Sequence, residues 1–200
     1  MRDELNQIGL IIFAMAVNIF LAGAVAAQTN QGGESPSQKY FTDVVLMNQY
    51  GQPMRLYTDL LKGRVVVINT FFTTCTSVCP PMTHNLTKVQ DALGDRLGKG
   101  VFIISITVDP LTDTPAKLKE YAAKFKTKPG WYFLGGKKEN VEFALSKLGQ
   151  FVEARDDHST VIIIGNEPTG LWKKAFGLAK PDALIEVVNS VVNDKLEPAK

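Results

Sequence analysis

The feature of this sequence that most limits its possible folds is a regular alternation of short apolar runs with amphipathic segments. Residues 64–72, RVVVINTFF, are rich in β-branched side chains and almost continuously apolar, which is typical of a strand covered on both faces. Residues 80–93 then carry apolar side chains at spacings of four, three and four, which predicts a helix with one apolar face. Strands that alternate with helices in this way predict an α/β domain with a largely parallel sheet.

The rest of the chain continues this alternation and adds a hairpin near its end. Thr114 is a good helix N-cap, and Pro115 suits the first helical position. The turn sequence NEPTG at 166–170 separates two apolar runs, which predicts an antiparallel hairpin at one sheet edge. The predicted strands are 64–72, 101–108, 131–134, 160–164 and 171–176, and the predicted helices are 80–93, 115–125, 140–148 and 181–192.

The N-terminal stretch is predicted to lie outside this domain. Residues 8–27 carry no charge and are long enough to span a bilayer as a helix, while their last four residues are small, as at a signal-peptidase site. A buried core helix is disfavoured because the stretch has no polar face. Residues 1–27 are therefore either a cleaved signal peptide or a retained transmembrane anchor, 28–39 a linker, and 40–200 an exported domain. In a bacterium, export would place this domain on the periplasmic side of the inner membrane.

Composition and missing motifs exclude two classes of partner. The chain has 200 residues, with 22 basic and 20 acidic side chains and a net charge of +2, too little for a nucleic-acid-binding protein with a clustered basic face. Neither a GxxxxGKS nor a GxGxxG phosphate loop occurs in the sequence, so nucleotide binding has no support. We expect neither a nucleic acid nor a nucleotide as ligand.

The most distinctive chemistry is a CxxxCPP motif at residues 75–81. It follows a buried strand and opens a helix, and ligands of open α/β sheets gather at that end of the strands. Cys79 is expected to cap the helix, where free N–H groups and positive potential favour a thiolate. If the loop coils, Cys75 lies about one turn away, and both sulfurs can face one point.

Several interpretations of these cysteines remain open on spacing alone. A disulfide closing so short a loop would contribute only about 2 kcal/mol, which a domain of this size hardly needs. Two unrelated buried cysteines fit poorly among threonines, serines and prolines. A redox loop usually has the spacing CxxC, whereas CxxxC leaves room for an ion between the sulfurs.

The chain has two histidines, and they differ in their surroundings. His84 lies within the predicted helix 80–93 and is expected to be a surface side chain. His158 follows Asp156 and Asp157 in a polar loop before a predicted strand, and either acid could hold the imidazole tautomer. Spacing alone does not make His158 a ligand, since only the fold can bring it to the cysteines.

Four motifs in this order resemble those of the Sco/SenC family of copper metallochaperones, over about residues 40 to 190. They correspond to the family's CxxxCP loop, its SVDP…DTP segment, its W-x-x-L-x-G stretch and its DHS loop. In this chain they are found at residues 71–80, 105–115, 131–136 and 157–159.

The resemblance implies a thioredoxin-like fold, with a central mixed sheet flanked by helices and a C-terminal β-hairpin. It also implies a site for copper, as Cu(I) or Cu(II), made by Cys75, Cys79 and His158, with Asp157 beside the histidine. The function implied is not enzymatic. It is delivery of copper to the binuclear site of cytochrome c oxidase subunit II, or to another copper-acceptor protein, from a domain attached to the membrane by its N-terminal segment.

A second function stays open. Cys75 and Cys79 could instead form the redox pair of a thiol–disulfide oxidoreductase that reduces the cysteines of the acceptor. A peroxidase is disfavoured because Phe72 stands where peroxiredoxins carry proline. The loop also departs from the Sco/SenC pattern, since family loops often have proline directly after the first cysteine and this chain has Thr76. Threonine is expected to leave this loop more flexible.

Overall fold

The computed structural model describes residues 34–196. The predicted signal peptide or anchor, residues 1–27, and the first part of the predicted linker lie outside the described residues. Between 34 and 196, no helix has both the length and the apolar character needed to cross a bilayer.

The centre of the domain is a seven-stranded mixed sheet in the order β2-β1-β5-β4-β3-β6-β7. Only β3, β4 and β5 run parallel, and every other neighbouring pair is antiparallel. The mixed sheet with flanking helices and a C-terminal hairpin is confirmed, but the parallel part is smaller than the alternation predicted. The strands are β1 Val45–Asn48, β2 Pro53–Arg55, β3 Val65–Phe71, β4 Val101–Thr107, β5 Trp131–Gly135, β6 Val161–Asn166 and β7 Leu171–Phe176.

Helices cover both faces of the sheet. Helices α2, α3 and α5 contribute to the core on one face, and α4 with a π-helical turn at Leu56–Leu61 contributes to the core on the other. Thr114 caps α3 as predicted, accepting a hydrogen bond from the backbone N–H of Lys117. The α-helices are α1 Pro36–Phe41, α2 Cys79–Leu93, α3 Pro115–Lys124, α4 Lys138–Lys147 and α5 Pro181–Val192, with 3₁₀ turns at Gly94–Arg96 and Arg155–Asp157.

The position of β3 inside the sheet explains why its sequence is almost continuously apolar. Val67 and Phe71 are buried in the core beneath α2, whereas Val66 and Ile68 are buried in the core on the opposite face. A strand at the middle of a three-layered domain has no solvent-facing side, so the usual alternation of polar and apolar residues is absent.

The N-terminal part of the domain was not predicted. The strands β1 and β2 form an additional hairpin, in which β1 pairs antiparallel with β5. Helix α1 begins inside the segment 28–39 that the sequence indicated as a linker. Ser35 caps α1 through its hydroxyl and also hydrogen-bonds the Tyr57 hydroxyl at 2.9 Å, so this end of the presumed linker is fixed to the domain.

Candidate metal centre

The two cysteines lie where β3 leaves the sheet and α2 begins. Cys79 is the first residue of α2 and Pro80 the second, while Val78 is the N-cap and makes no side-chain capping bond. The helix therefore starts one residue before the predicted start, and Cys79 is not its cap. The backbone N–H of Cys79 points to the Sγ of Cys75 at 3.4 Å, so the first turn of the helix holds the two cysteines together.

His158 reaches the cysteines because of how β6 is placed. This strand runs antiparallel beside β3, so the start of β6 lies next to the end of β3, from which the cysteine loop departs. The hydroxyl of Thr70 donates a hydrogen bond to the carbonyl of Ser159 at 3.2 Å. This bond holds Ser159, the residue next to His158, against the end of β3.

The three predicted ligands converge on one buried point. The Sγ of Cys79 lies 3.2 Å from Nε2 of His158, and the donor atoms of Cys75, Cys79 and His158 all lie within 4.8 Å of one another. Their exposed fractions are 7%, 0% and 8%. His84 is exposed on α2 and is not a member of this group.

A backbone contact orients the imidazole. Nδ1 of His158 lies 3.0 Å from the carbonyl oxygen of Arg155; since a carbonyl can only accept, Nδ1 carries a proton, and in the neutral ring Nε2 is the nitrogen with the free lone pair. Such a contact is the common way to fix the tautomer of a metal-ligating histidine. The sequence suggested Asp157 for this role, but the Asp157 side chain is exposed and the Arg155 carbonyl takes its place.

The pKa values of the two cysteine thiols are shifted in opposite directions. Burial disfavours the charged form of Cys75, but hydrogen bonds from the Cys79 thiol and backbone and from Ser77 outweigh it, and the pKa of Cys75 lies below its usual range. Burial raises the pKa of Cys79 well above its usual range, and its hydrogen bond to Cys75 raises it further. The expectation of a thiolate at the helix terminus was therefore wrong for Cys79, because its complete burial outweighs the helix potential.

Asp113 supports the cysteine loop and is a residue whose role sequence reasoning missed. It is only 1% exposed, and it accepts hydrogen bonds from the backbone N–H of Thr73 at 3.1 Å and from the hydroxyls of Thr73 and Thr107. A buried carboxylate with three donors ties the loop to the end of β4. In the sequence, this residue stood out only as part of the DTP motif before a helix.

The donor set fits a soft monovalent ion. Donor atoms this close can be bridged by an ion whose bonds are about 2.0–2.3 Å long. Two thiolates and one imidazole are the ligands that Cu(I) prefers, whereas structural zinc sites use four ligands. Both cysteines are free thiols in the structure, the form in which they can bind a metal.

Comparison with known proteins identifies the family. The SCO1/SenC family model matches residues 32–193, which is most of the chain and nearly all of the described domain. The chain belongs to the SCO1/SenC family. The matched range contains Cys75, Cys79 and His158, and the resemblance noted from the sequence motifs is confirmed.

Individual relatives in this family are moderately similar. A SCO1 protein homologue of Bacillus subtilis is 37% identical over 150 residues, which are 73% of this chain and 72% of the relative. A protein of Stutzerimonas stutzeri named as a putative copper-binding protein is 29% identical over 122 residues, 60% of this chain and 58% of that one.

A solved structure shows the same fold. BsSco, described as a member of the Sco family of cytochrome c oxidase assembly proteins in which a disulfide switch was identified, superposes with a TM-score of 0.61. It is 31% identical to this chain, and the match covers 76% of this chain and 92% of that one. The mixed sheet and its helices are therefore the thioredoxin-like arrangement of Sco proteins.

Proposed function

We propose that this protein binds copper through Cys75, Cys79 and His158 and delivers it to another protein. The observation that carries the proposal is the convergence of two thiols and an imidazole lone pair at one buried point. Further support comes from the copper-binding description of the Stutzerimonas stutzeri relative. Copper is cargo in this proposal, and the protein is a metallochaperone rather than an enzyme.

The site's own residues suggest how the cargo is held and released. The pKa of Cys75 lies below its usual range, which favours the thiolate form that a metal requires. Cys79 is protonated in the free protein and must give up its proton as it becomes a ligand, so binding releases a proton. His158 supplies Nε2 from a loop, whereas Cys79 is held in the first turn of α2. Three donors leave the ion open to a fourth ligand from an acceptor.

We infer that the acceptor is the binuclear copper site of cytochrome c oxidase subunit II. Support comes from the family and from the description of BsSco as a member of a family of oxidase assembly proteins. The test is to mix copper-loaded protein with the metal-free soluble domain of subunit II. Appearance of the binuclear-copper absorption in subunit II supports the proposal, and copper that stays with this protein contradicts it.

We propose that the domain works outside the cytoplasm, on the periplasmic side of the inner membrane in a bacterium. The proposal rests on the apolar, uncharged residues 8–27, which would act as a cleaved signal or as a retained anchor. Protease treatment of spheroplasts should degrade the domain, and the mass of the mature protein would distinguish cleavage from retention. Protection of the domain inside spheroplasts would contradict the proposal.

A thiol–disulfide oxidoreductase is the second candidate. It is favoured by the difference in pKa between the two thiols, since thiol exchange begins with attack by a thiolate and the lowered pKa of Cys75 favours that form. Support also comes from the disulfide switch reported for BsSco. A reductase needs Cys75 and Cys79 but has no need of His158.

Replacing His158 with alanine separates the two candidates. Under the copper proposal, His158→Ala should lower copper(I) affinity by about 100-fold or more, because a direct ligand is lost and loss of even an outer-shell partner costs about 10- to 100-fold. Competition with a copper(I) chelator measures the affinity, and reduction of a disulfide-bonded acceptor peptide measures the thiol activity.

The matched control for this experiment is His84→Ala, which removes the other, exposed histidine and should change neither measurement. If His158→Ala keeps both thiol activity and the ability to restore oxidase assembly in cells, the reductase function is the physiological one.

A further inference from the structure

Arg155 links three parts of the molecule that surround the candidate metal centre. Its guanidinium Nη1 lies 2.5 Å from Oδ2 of Asp109, a residue that follows β4 and is far from Arg155 in sequence. The Asp109 side chain is 13% exposed and that of Arg155 is 46% exposed. This pair therefore ties the 3₁₀ turn before His158 to the loop after the central strand β4.

The same guanidinium also contacts the cysteine side of the site. The Cζ of Arg155 lies 5.2 Å from the centre of the Phe72 ring, within the range of a cation–π contact. The Phe72 ring in turn meets the His158 ring edge to face, with 5.3 Å between centroids. The backbone carbonyl of Arg155 accepts the Nδ1 proton of His158, so the side chain and the backbone of one residue both fix the imidazole.

We infer that Arg155 is a positioning residue, and that its ion pair with Asp109 keeps the His158 loop closed on the two cysteines. Among residues 34–196, the only other acidic partner of the Arg155 guanidinium is Asp156, at 4.0 Å. The side chain of Asp156 is 81% exposed and lies in the same turn, so it cannot tie the loop to another element. Breaking the pair with Asp109 should free His158, while Cys79 stays in the first turn of α2 and Cys75 stays in contact with the backbone N–H of Cys79.

The inference rests on the proposed function for its consequence, which is control of copper binding and release through the third ligand. Its structural part does not depend on copper. Accessibility of the His158 ring in the reduced, metal-free protein therefore tests it directly, and a failure of the copper proposal would leave this measurement unaffected.

The experiment is carbethoxylation of histidine by diethyl pyrocarbonate, followed by peptide mass spectrometry on the full chain. In the native protein, buried His158 should react much more slowly than exposed His84, which serves as an internal standard. Arg155→Ala and Asp109→Asn should each raise the His158 rate about three- to tenfold, as expected for loss of a partly buried, charge-assisted contact. The rate at His84 should stay constant. The copper(I) affinity should fall in both variants by a similar factor.

Matched variants separate positioning from general destabilisation. Arg64→Ala removes another arginine that stacks on a phenylalanine, here Phe102 at 4.3 Å, at the opposite end of β3, and should change neither rate nor affinity. Arg155→Lys keeps the charge and should recover part of the protection of His158. Unchanged His158 reactivity in folded Asp109→Asn and Arg155→Ala would overturn the inference, as would an equal increase at His84. If the reactivity rises as expected but the native protein binds no copper, the positioning role stands and the proposed function fails.

Discussion

The Cys79→Ser variant is expected to bind copper(I) at least about 100-fold more weakly than the native protein. Loss of a residue that only hydrogen-bonds a metal ligand already lowers metal affinity about 10- to 100-fold. Cys79 is placed to be a direct ligand, with its Sγ 3.2 Å from Nε2 of His158. A serine hydroxyl stays protonated at neutral pH and is a hard ligand that copper(I) does not favour. Anaerobic competition with a copper(I) chelator measures the change.

The substitution is small enough that folding should survive it, because serine replaces a sulfur by an oxygen that still finds acceptors at Cys75 and His158. The matched control is Met82→Leu, in the same helix. It removes a fully buried thioether with little change of volume and should leave copper affinity unchanged. Equal affinity in native protein and a folded Cys79→Ser variant would show that Cys79 is not a ligand.

The Gly130→Ala variant is expected to be the most destabilised single substitution considered. Gly130 precedes β5 with φ of +97°, and a Cβ there would lie 2.5 Å from the backbone N and 2.7 Å from the Cα of Gly98. No rotamer change relieves a clash with backbone. The conformational strain, about 1–3 kcal/mol, and overpacking, about 1–3 kcal/mol, together should lower the free energy of unfolding by about 2–6 kcal/mol. Urea denaturation followed by circular dichroism measures it.

Gly100→Ala is the matched control for the clash. Gly100 has a similar φ of +110°, but a Cβ there would meet nothing within 4 Å. The free energy of unfolding of this variant should therefore fall only by the conformational strain, about 1–3 kcal/mol. An equal loss of stability in the two variants would show that the approach of Gly130 to Gly98 contributes nothing.

The central part of the fold could be predicted from the sequence because strands that are buried on both faces are almost continuously apolar. Strands β3 and β4, helix α3 with its Thr114 cap and the hairpin of β6 and β7 all lie close to their predicted positions. The N-terminal hairpin was missed because β1 and β2 are only four and three residues long. The direction of the strands could not be predicted from the local sequence pattern either. The antiparallel placement of β6 beside β3 is set by packing across the whole sheet.

The ligands of the candidate site could be predicted from the sequence, but the residues that hold those ligands in place could not. A short CxxxC loop at a strand-to-helix junction is visible in the sequence, whereas His158 became a ligand candidate only through the family resemblance, because the fold brings it across 79 residues to Cys79. The contacts of Arg155 and Asp113 depend on tertiary placement. The ionisation of Cys79 was mispredicted because local sequence indicates a helix terminus but not how completely that terminus is buried.

X-ray absorption spectroscopy at the copper edge of the loaded protein tests the central claim most directly. If Cys75, Cys79 and His158 hold one copper(I), the nearest shell should contain two sulfur atoms and one nitrogen, with the outer-shell scattering of an imidazole ring. In His158→Ala this imidazole scattering should disappear while the sulfur shell remains. A nearest shell without sulfur, or imidazole scattering that persists in His158→Ala, would contradict the proposed site.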